Sequence, residues 1–183
     1  MMQRPRVISG KFKSKKLPFV SEARPLTDIL KTKIFDRIDK EYIITCSVLD
    51  LYAGSGSFGF EALSRGARFC TFVESSSKSA RLLKNFINEN ALNAKVEESE
   101  VLRYLKSVRV ENFKFDLIFA DPPFCISYQI NELIRIINNK KLLFTYLIVR
   151  HQIGFEVQQD GLSVVDYICS GKSVVSFFRN KYL

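Results

Sequence analysis

The sequence predicts an α/β fold: a mostly parallel sheet of seven strands that ends in an antiparallel hairpin. Three observations predict it. Apolar runs of strand length alternate with helical periodicities between residues 48 and 149. A glycine-rich turn directly follows the first of those runs. Near the end of the chain two β-rich segments, 162–168 and 173–178, are joined only by Cys169-Ser170-Gly171-Lys172. That connection is too tight for a crossover helix, so the pair is antiparallel and lies at one edge of an otherwise parallel sheet.

The elements follow in order. Arg6-Val7-Ile8 and Lys11-Phe12-Lys13 alternate basic and apolar side chains around Ser9-Gly10. This predicts a two-stranded ribbon with one basic and one packed face. Thr27 or Asp28 caps a helix whose buried stripe is Leu30, Ile34 and Ile38. Strand 48–51 runs into glycines and then a helix over 58–65, which stops at Gly66. Strand 69–73 leads to helix 77–90, with Ala80, Leu83 and Ile87 inward. A short strand at 94–98 precedes helix 100–108, carried by Val101, Leu105 and Val108. Strand 115–120, helix 129–138 (Ile130, Leu133, Ile137) and the apolar run 142–149 complete the parallel part. There are no internal repeats and no low-complexity linker.

The glycine turn reads Asp50-Leu51-Tyr52-Ala53-Gly54-Ser55-Gly56-Ser57-Phe58-Gly59. Gly54, Gly56 and Gly59 match G-x-G-x-x-G, where backbone turns tightly and approaches a ligand closely. The fold is therefore Rossmann-like, and a dinucleotide competes with S-adenosylmethionine as its ligand. Glu74, twenty residues past Gly54, can accept from ribose hydroxyls under either reading. Asp50 separates the two. A carboxylate four residues before the first glycine repels a diphosphate but tolerates an ammonium or a sulfonium, so S-adenosylmethionine is the expected cofactor.

Asp121-Pro122-Pro123-Phe124 follows the buried strand directly. Two prolines cannot continue a ladder, and Pro disfavours the helical region for the residue before it. A carboxylate, an outward carbonyl and an aromatic plane are thus held together at a strand end. That set suits a flat ring with an exocyclic amine: two acceptors for its N–H groups and one face for stacking. Asp121, Pro122 and Phe124 are the expected catalytic group.

Charge is distributed unevenly. Of a net +9, residues 1–40 hold eleven Lys and Arg against four acids, and the first twenty residues hold no acid. Such asymmetry points to a polyanionic partner. Arg4, Arg6, Lys11, Lys13, Lys15, Lys16 and Arg24 are its expected contacts. At 183 residues the chain is about one ordinary domain. A basic extension over 1–40 and a catalytic part over 41–183 are expected within it. No stretch approaches the roughly 20 apolar residues of a membrane span, and the N-terminus carries no apolar signal region. Cys46, Cys70, Cys125 and Cys169 form no C-x-x-C pair and His151 is the one histidine, so reduced, buried, cytoplasmic cysteines are expected and a metal site is not.

Arg6-Val7-Ile8-Ser9-Gly10-Lys11, Arg24-Pro25-Leu26-Thr27-Asp28, the Asp50–Gly59 loop, Glu61-Ala62-Leu63-Ser64-Arg65-Gly66-Ala67, Glu74 and Phe115-Asp116 through Phe124 occur in a familiar order. In that order the chain resembles the bacterial 16S ribosomal RNA guanine-N2 methyltransferases of the RsmD family, over essentially its whole length. The resemblance implies a class I S-adenosylmethionine-dependent methyltransferase fold and methylation of guanine N2 in 16S rRNA, within assembled 30S subunits; a monomer is expected. It implies that Gly54 and Gly56 line the methionine part of the cofactor with Asp50 nearby. Glu74 then binds the ribose, and Glu100 faces the adenine amine where relatives usually have Asp. One departure is Leu26, where relatives generally have threonine; another is Ile29-Leu30-Lys31, where they have an arginine-rich helix start. Two other functions share the motifs: a DNA adenine-N6 or cytosine-N4 methyltransferase, and a noncatalytic RNA-binding assembly factor. The first needs an added recognition domain, for which about 40 spare residues are too few. The second would have no need of intact cofactor and base motifs.

Overall fold

The computed structural model describes residues 4–19 and 26–180. Its strands are β1 (Ser47–Leu51), β2 (Phe69–Glu74), β3 (Ala94–Glu98), β4 (Leu117–Ala120), β5 (Tyr146–Gln152), β6 (Leu162–Ser170) and β7 (Ser173–Asn180). They form one sheet in the order β3-β2-β1-β4-β5-β7-β6. The first five are parallel to one another, while β7 runs antiparallel to both β5 and β6. The chain winds outward from β1 to β3, then returns to lay β4 on the other side of β1. A cleft opens at that reversal, beyond the carboxyl ends of β1 and β4, where open α/β sheets bind ligands.

Every residue of β1 and β4 is buried, as a strand covered on both faces requires. Helices α1 (Asp28–Phe35), α2 (Lys40–Thr45), α3 (Ser57–Ser64) and α4 (Ser77–Glu89) contribute to the apolar cluster on one face. On the other, α5 (Val101–Ser107) and α6 (Gln129–Asn139) pack against Leu49, Ile118 and Leu147. Thr27 caps α1, its Oγ1 accepting the Leu30 N–H at 3.2 Å.

The expected seven strands and closing hairpin are all present, with four corrections to the elements; in addition, Cys125 and Cys169 are exposed instead of buried, and Ile38, though buried, lies past the end of α1. Helix α2 has no counterpart among the elements that the sequence predicts. It is nucleated by Asp39, whose Oδ1 accepts from Glu41 N and Tyr42 N, and it buries only Ile43. One apolar anchor leaves no periodicity to read.

The fifth strand lies at Tyr146–Gln152 instead of 142–149. Leu142 belongs to the end of α6, where its N–H donates to the Ile137 carbonyl at 3.0 Å. At its other end the strand continues past the apolar run because Arg150 and His151 pair with Val175 and Val174 of β7. The hairpin is longer than expected, and its connection shrinks to Gly171 and Lys172.

The ribbon pairs differently too. Arg6 bridges to Lys16, Val7 N–H donates to Lys15 O and Ser14 N–H to Val7 O, so residues 11–14 form the turn and 15–17 the second arm. The end of α3 dictates this. Lys11 N–H donates to Ser64 O at 2.8 Å, Phe12 N–H to Ser64 Oγ at 2.9 Å, and Ile8 N–H to Glu61 Oε2 at 2.8 Å. Gly10 sits at φ +78°, and a Cβ there would lie 1.9 Å from Ser64 O. Only glycine permits so close a seat. The buried Lys31 of α1 donates to the Arg6 carbonyl and lies 3.4 Å from the Asp28 carboxylate. Burial pushes its pKa down, and the charges of Glu61 and Asp28 oppose that shift. Val7 and Leu17 of the ribbon share one apolar cluster with Leu30, Phe58 and Phe60. Arg24 and Pro25 lie outside the described residues.

Candidate active site

Asp50 is the next-to-last residue of β1 and is almost wholly buried, at 2% exposure. Its Oδ2 accepts the Gly59 N–H at 2.9 Å, which ties the strand end to the first turn of α3. The chain between them closes through residues in the left-handed region: Tyr52 at φ +59°, Gly54 at +54° and Gly56 at +71°. A Cβ on Gly56 would lie 2.5 Å from the Phe60 ring, so both its conformation and its packing require glycine.

Glu74 ends β2 and braces the same loop. Its Oε2 accepts from Gly54 N at 2.7 Å and its Oε1 from Ser76 N at 2.8 Å. Each carboxylate oxygen keeps a further lone pair for a ribose hydroxyl. The sequence alone does not announce the bracing role. Glu100 stands at the N-cap of α5 but makes no side-chain cap bond, and it faces the cavity instead.

Asp121 follows β4 at the opposite wall. Arg150 of β5 donates from Nη1 to its Oδ2 at 3.1 Å, and the guanidinium carbon lies 5.9 Å from the centroid of the Phe124 ring. Phe124 opens a short 3₁₀ turn, Phe124–Ile126, pinned by Ile126 N–H to Pro123 O and by the Ser127 hydroxyl to Phe124 O. Phe119 stacks on Phe58 at 4.1 Å and 8°, joining the two walls from below. The departing residue Leu26 is buried and lines the same cavity.

The cavity measures about 540 Å³, within the size range of small-molecule sites. It brings together Asp50, Gly54, Glu74, Glu100, Asp121, Pro122 and Phe124; Gly56 caps α3 beside it. Among the described residues its lining holds four carboxyl groups (Asp50, Glu74, Glu100, Asp121) and a single cation, Arg150. Burial pushes the Asp50 carboxyl well above the usual carboxylate range. The Gly59 N–H pulls it back, and the charges of Asp121 and Glu74 push it further up. A cation entering this cavity is attracted; a diphosphate is repelled.

Two of the lining residues not foreseen from the sequence bear on function. Ser57 Oγ is buried with no hydrogen-bond partner among the described residues. A buried hydroxyl of that kind calls for a partner from a ligand. Nothing in a serine inside a glycine-rich turn signals this. Arg150 was legible in principle, as a charged residue at the carboxyl end of a parallel strand, where ligands bind.

The basic set lies away from the cavity lining, on the ribbon. Arg4, Arg6, Lys11, Lys13, Lys15 and Lys16 are all exposed, and Arg24 lies outside the described residues. Arg6 pairs with Asp28 at 2.9 Å, Arg4 donates to Leu17 O at 3.3 Å, and Lys15 reaches Asn90 at the end of α4.

Comparison with known proteins agrees with this geometry. The family model described as conserved hypothetical protein 95 matches residues 5–179. The ribosomal RNA small subunit methyltransferase D of Buchnera aphidicola subsp. Acyrthosiphon pisum is 36% identical over 138 residues, 74% of this chain and 70% of that protein. The protein of the same name from Haemophilus influenzae is 38% identical over 126 residues, 65% of this chain and 63% of its own length. The solved structure of Escherichia coli yhhF, proposed to be a methyltransferase, superposes with a TM-score of 0.83 at 25% identity. It covers 99% of this chain and 100% of that one. The sheet and its helices are the class I S-adenosylmethionine-dependent methyltransferase fold.

The raised Asp50 carboxyl sets an expected pH dependence of stability. An acid whose folded pKa lies above its unfolded value stabilises the fold below the ordinary carboxylate range and loses that contribution as pH rises through the folded value. Asp50→Asn keeps an acceptor for Gly59 N–H without the charge. Its melting temperature should exceed that of the native protein at pH 8, with the gap narrowing towards pH 4.5. Thermal unfolding at the two pH values checks this, and a gap that widens on acidification contradicts it.

Proposed function

We propose, from the premise that the chain belongs to the conserved hypothetical protein 95 family of ribosomal RNA small subunit methyltransferases D, that it transfers a methyl group from S-adenosylmethionine to the exocyclic N2 of a guanine in 16S rRNA. The observation that carries this reading is the cavity itself. Glycine loop and Asp121-Pro122-Pro123-Phe124 loop face each other across one lining with four carboxyl groups and a single guanidinium.

The residues present fit the cofactor. Its net-positive sulfonium and ammonium suit the carboxyl-rich lining. Ser57 Oγ and the N–H groups at the start of α3 would take its carboxylate. Glu74 would take the ribose hydroxyls and Glu100 the adenine amine. When bound, S-adenosylmethionine supplies an electrophilic methyl group.

What the protein adds is the preparation of the amine. The N2 lone pair of guanine is delocalised into the ring, so the amine is a poor nucleophile. Hydrogen bonds from its two N–H groups to the Asp121 carboxylate and the Pro122 carbonyl favour a tetrahedral nitrogen and aim the lone pair across the cavity. Phe124 stacks on the base, a contact of about 1–3 kcal/mol. The extra proton then leaves to Asp121 or to water. A guanine held this way is splayed out of its stack or comes from a loop.

Contacts to the base alone do not choose one guanine among many, so binding to the 30S particle rests on phosphate contacts from the basic ribbon. On this reading the chain acts as a monomer in the cytoplasm. Arg4 and Arg6 are already engaged within the protein, whereas Lys11, Lys13 and Lys16 project from the turn and second arm.

Two measurements divide the site. Asp121→Ala should lower kcat by about 10² or more, the usual effect of losing a positioned transition-state acceptor, with cofactor affinity nearly unchanged. Glu74→Ala should weaken cofactor binding by about 1.5–3 kcal/mol, the range for hydrogen bonds to a charged group. Near-normal turnover by the first variant, or calorimetry showing native affinity in the second, would refute the assignment concerned. Replacing Lys11, Lys13 and Lys16 together with alanine should reduce the slope of log K against log salt by about 0.7–0.9 for each phosphate no longer neutralised. An unchanged slope would place the RNA elsewhere.

A further inference from the structure

We infer that Arg150 is the positioning residue of the reaction proposed above: it holds the Asp121 carboxylate ionised and aimed as an acceptor, and it carries the closing hairpin's influence into the site. The inference rests on that functional reading and adds a residue to which neither the fold nor the motifs assign a role.

Three contacts support it. Arg150 Nη1 donates to Asp121 Oδ2 at 3.1 Å, and the side chains are only 9% and 17% exposed, so the pair is weakly screened. Arg150 Nε donates to Ser173 Oγ at 3.2 Å, and that hydroxyl donates in turn to Ser170 O at 3.0 Å. The guanidinium is therefore braced from the β6–β7 turn, which fixes its direction. Its carbon lies over the Phe124 ring, so one side chain backs both the acceptor and the stacking plane.

The charges around Asp121 show why a cation is needed. Asp50 reaches the cavity from β1, Glu74 from β2 and Glu100 from the head of α5. Arg150, from β5, is the cation in the lining among the described residues. His151, next along the strand, bonds to Ser176 Oγ at 2.9 Å instead and is not part of the lining. Without Arg150, Asp121 would be a carboxyl group among three others, and protonation would be favoured. A protonated Asp121 donates where it should accept. One N–H of the guanine amine needs that acceptor, and the ionised form supplies it.

The test compares Arg150→Gln, Arg150→Lys, Ser173→Ala and Asp121→Ala in methyl transfer to 30S particles lacking the modification, from pH 5.5 to 9. Binding of S-adenosylhomocysteine and thermal unfolding are measured on the same proteins. Arg150→Gln should lose about 10²-fold in kcat at neutral pH. It should regain activity as pH rises, because the acid limb of its profile moves up by about 1–3 units once the neighbouring cation is gone. Arg150→Lys should return the limb towards the native position, whereas Ser173→Ala, which frees the guanidinium without removing its charge, should lower kcat less than Arg150→Gln does and leave the limb in place; native kcat in Ser173→Ala would remove the hairpin from the account. Affinity for S-adenosylhomocysteine should stay within a few-fold. A loss in Arg150→Gln that is uniform across pH, with a lowered melting temperature and no rescue by lysine, would make Arg150 a structural residue and overturn the inference. Near-native turnover by Asp121→Ala would instead overturn the functional reading on which it rests.

Discussion

Helix α3 is the constraint on which the rest of the molecule depends. All eight of its residues are buried, so it cannot shift against one neighbour without disturbing the others. At its start, the Asp50 carboxylate holds Gly59 N–H and closes the glycine loop over the cavity. At its end, Glu61 and Ser64 supply the acceptors that seat the basic ribbon. Glu61 is itself fully buried and pairs with Arg65 at 2.8 Å. Removing one partner of such a set is costly because the other is left charged in a dry environment. One short helix thus sets the distance between the surface proposed to grip RNA and the cavity proposed to hold the cofactor.

The same economy governs the electrostatics. Closing the loop requires buried acceptors, and the acceptors used are carboxylates: Asp50 for Gly59, Glu74 for Gly54 and Ser76. They give the cavity its negative character as a by-product of holding its shape. A cationic cofactor relieves the repulsion among them, which couples binding to the ionisation of Asp50. Arg150 plays the complementary part at the opposite wall, where one acceptor must stay ionised beside other acids.

Much of this was legible in the chain. Seven strands, the glycine loop, the proline-rich loop and Glu74 follow from apolar spacing, turn residues and the position of acids relative to glycines. What was not legible has common physical causes. Helix α2 buries a single apolar residue and is held by its cap. The ribbon's register is set by Ser64, a residue fifty positions away with no local signature. The polar end of β5 is strand because β7 pairs with it, and apolar spacing is blind to such pairing. Ser57 is recognised only by what lies within a few ångströms of it in space, and Arg150, legible as a charge at a strand end, acquires its partner Asp121 only in the structure.

The central claim is that the cavity presents two acceptors to an exocyclic amine and that this amine is guanine N2 of 16S rRNA. The most direct measurement is the chemical identity of the product. The protein is incubated with S-adenosylmethionine carrying a labelled methyl group and with unmodified 30S particles, and the rRNA is then digested to nucleosides and separated. The account predicts that the label is recovered as N2-methylguanosine from a single position of 16S rRNA. Label in N6-methyladenosine or N4-methylcytidine, or none in the RNA, would contradict it.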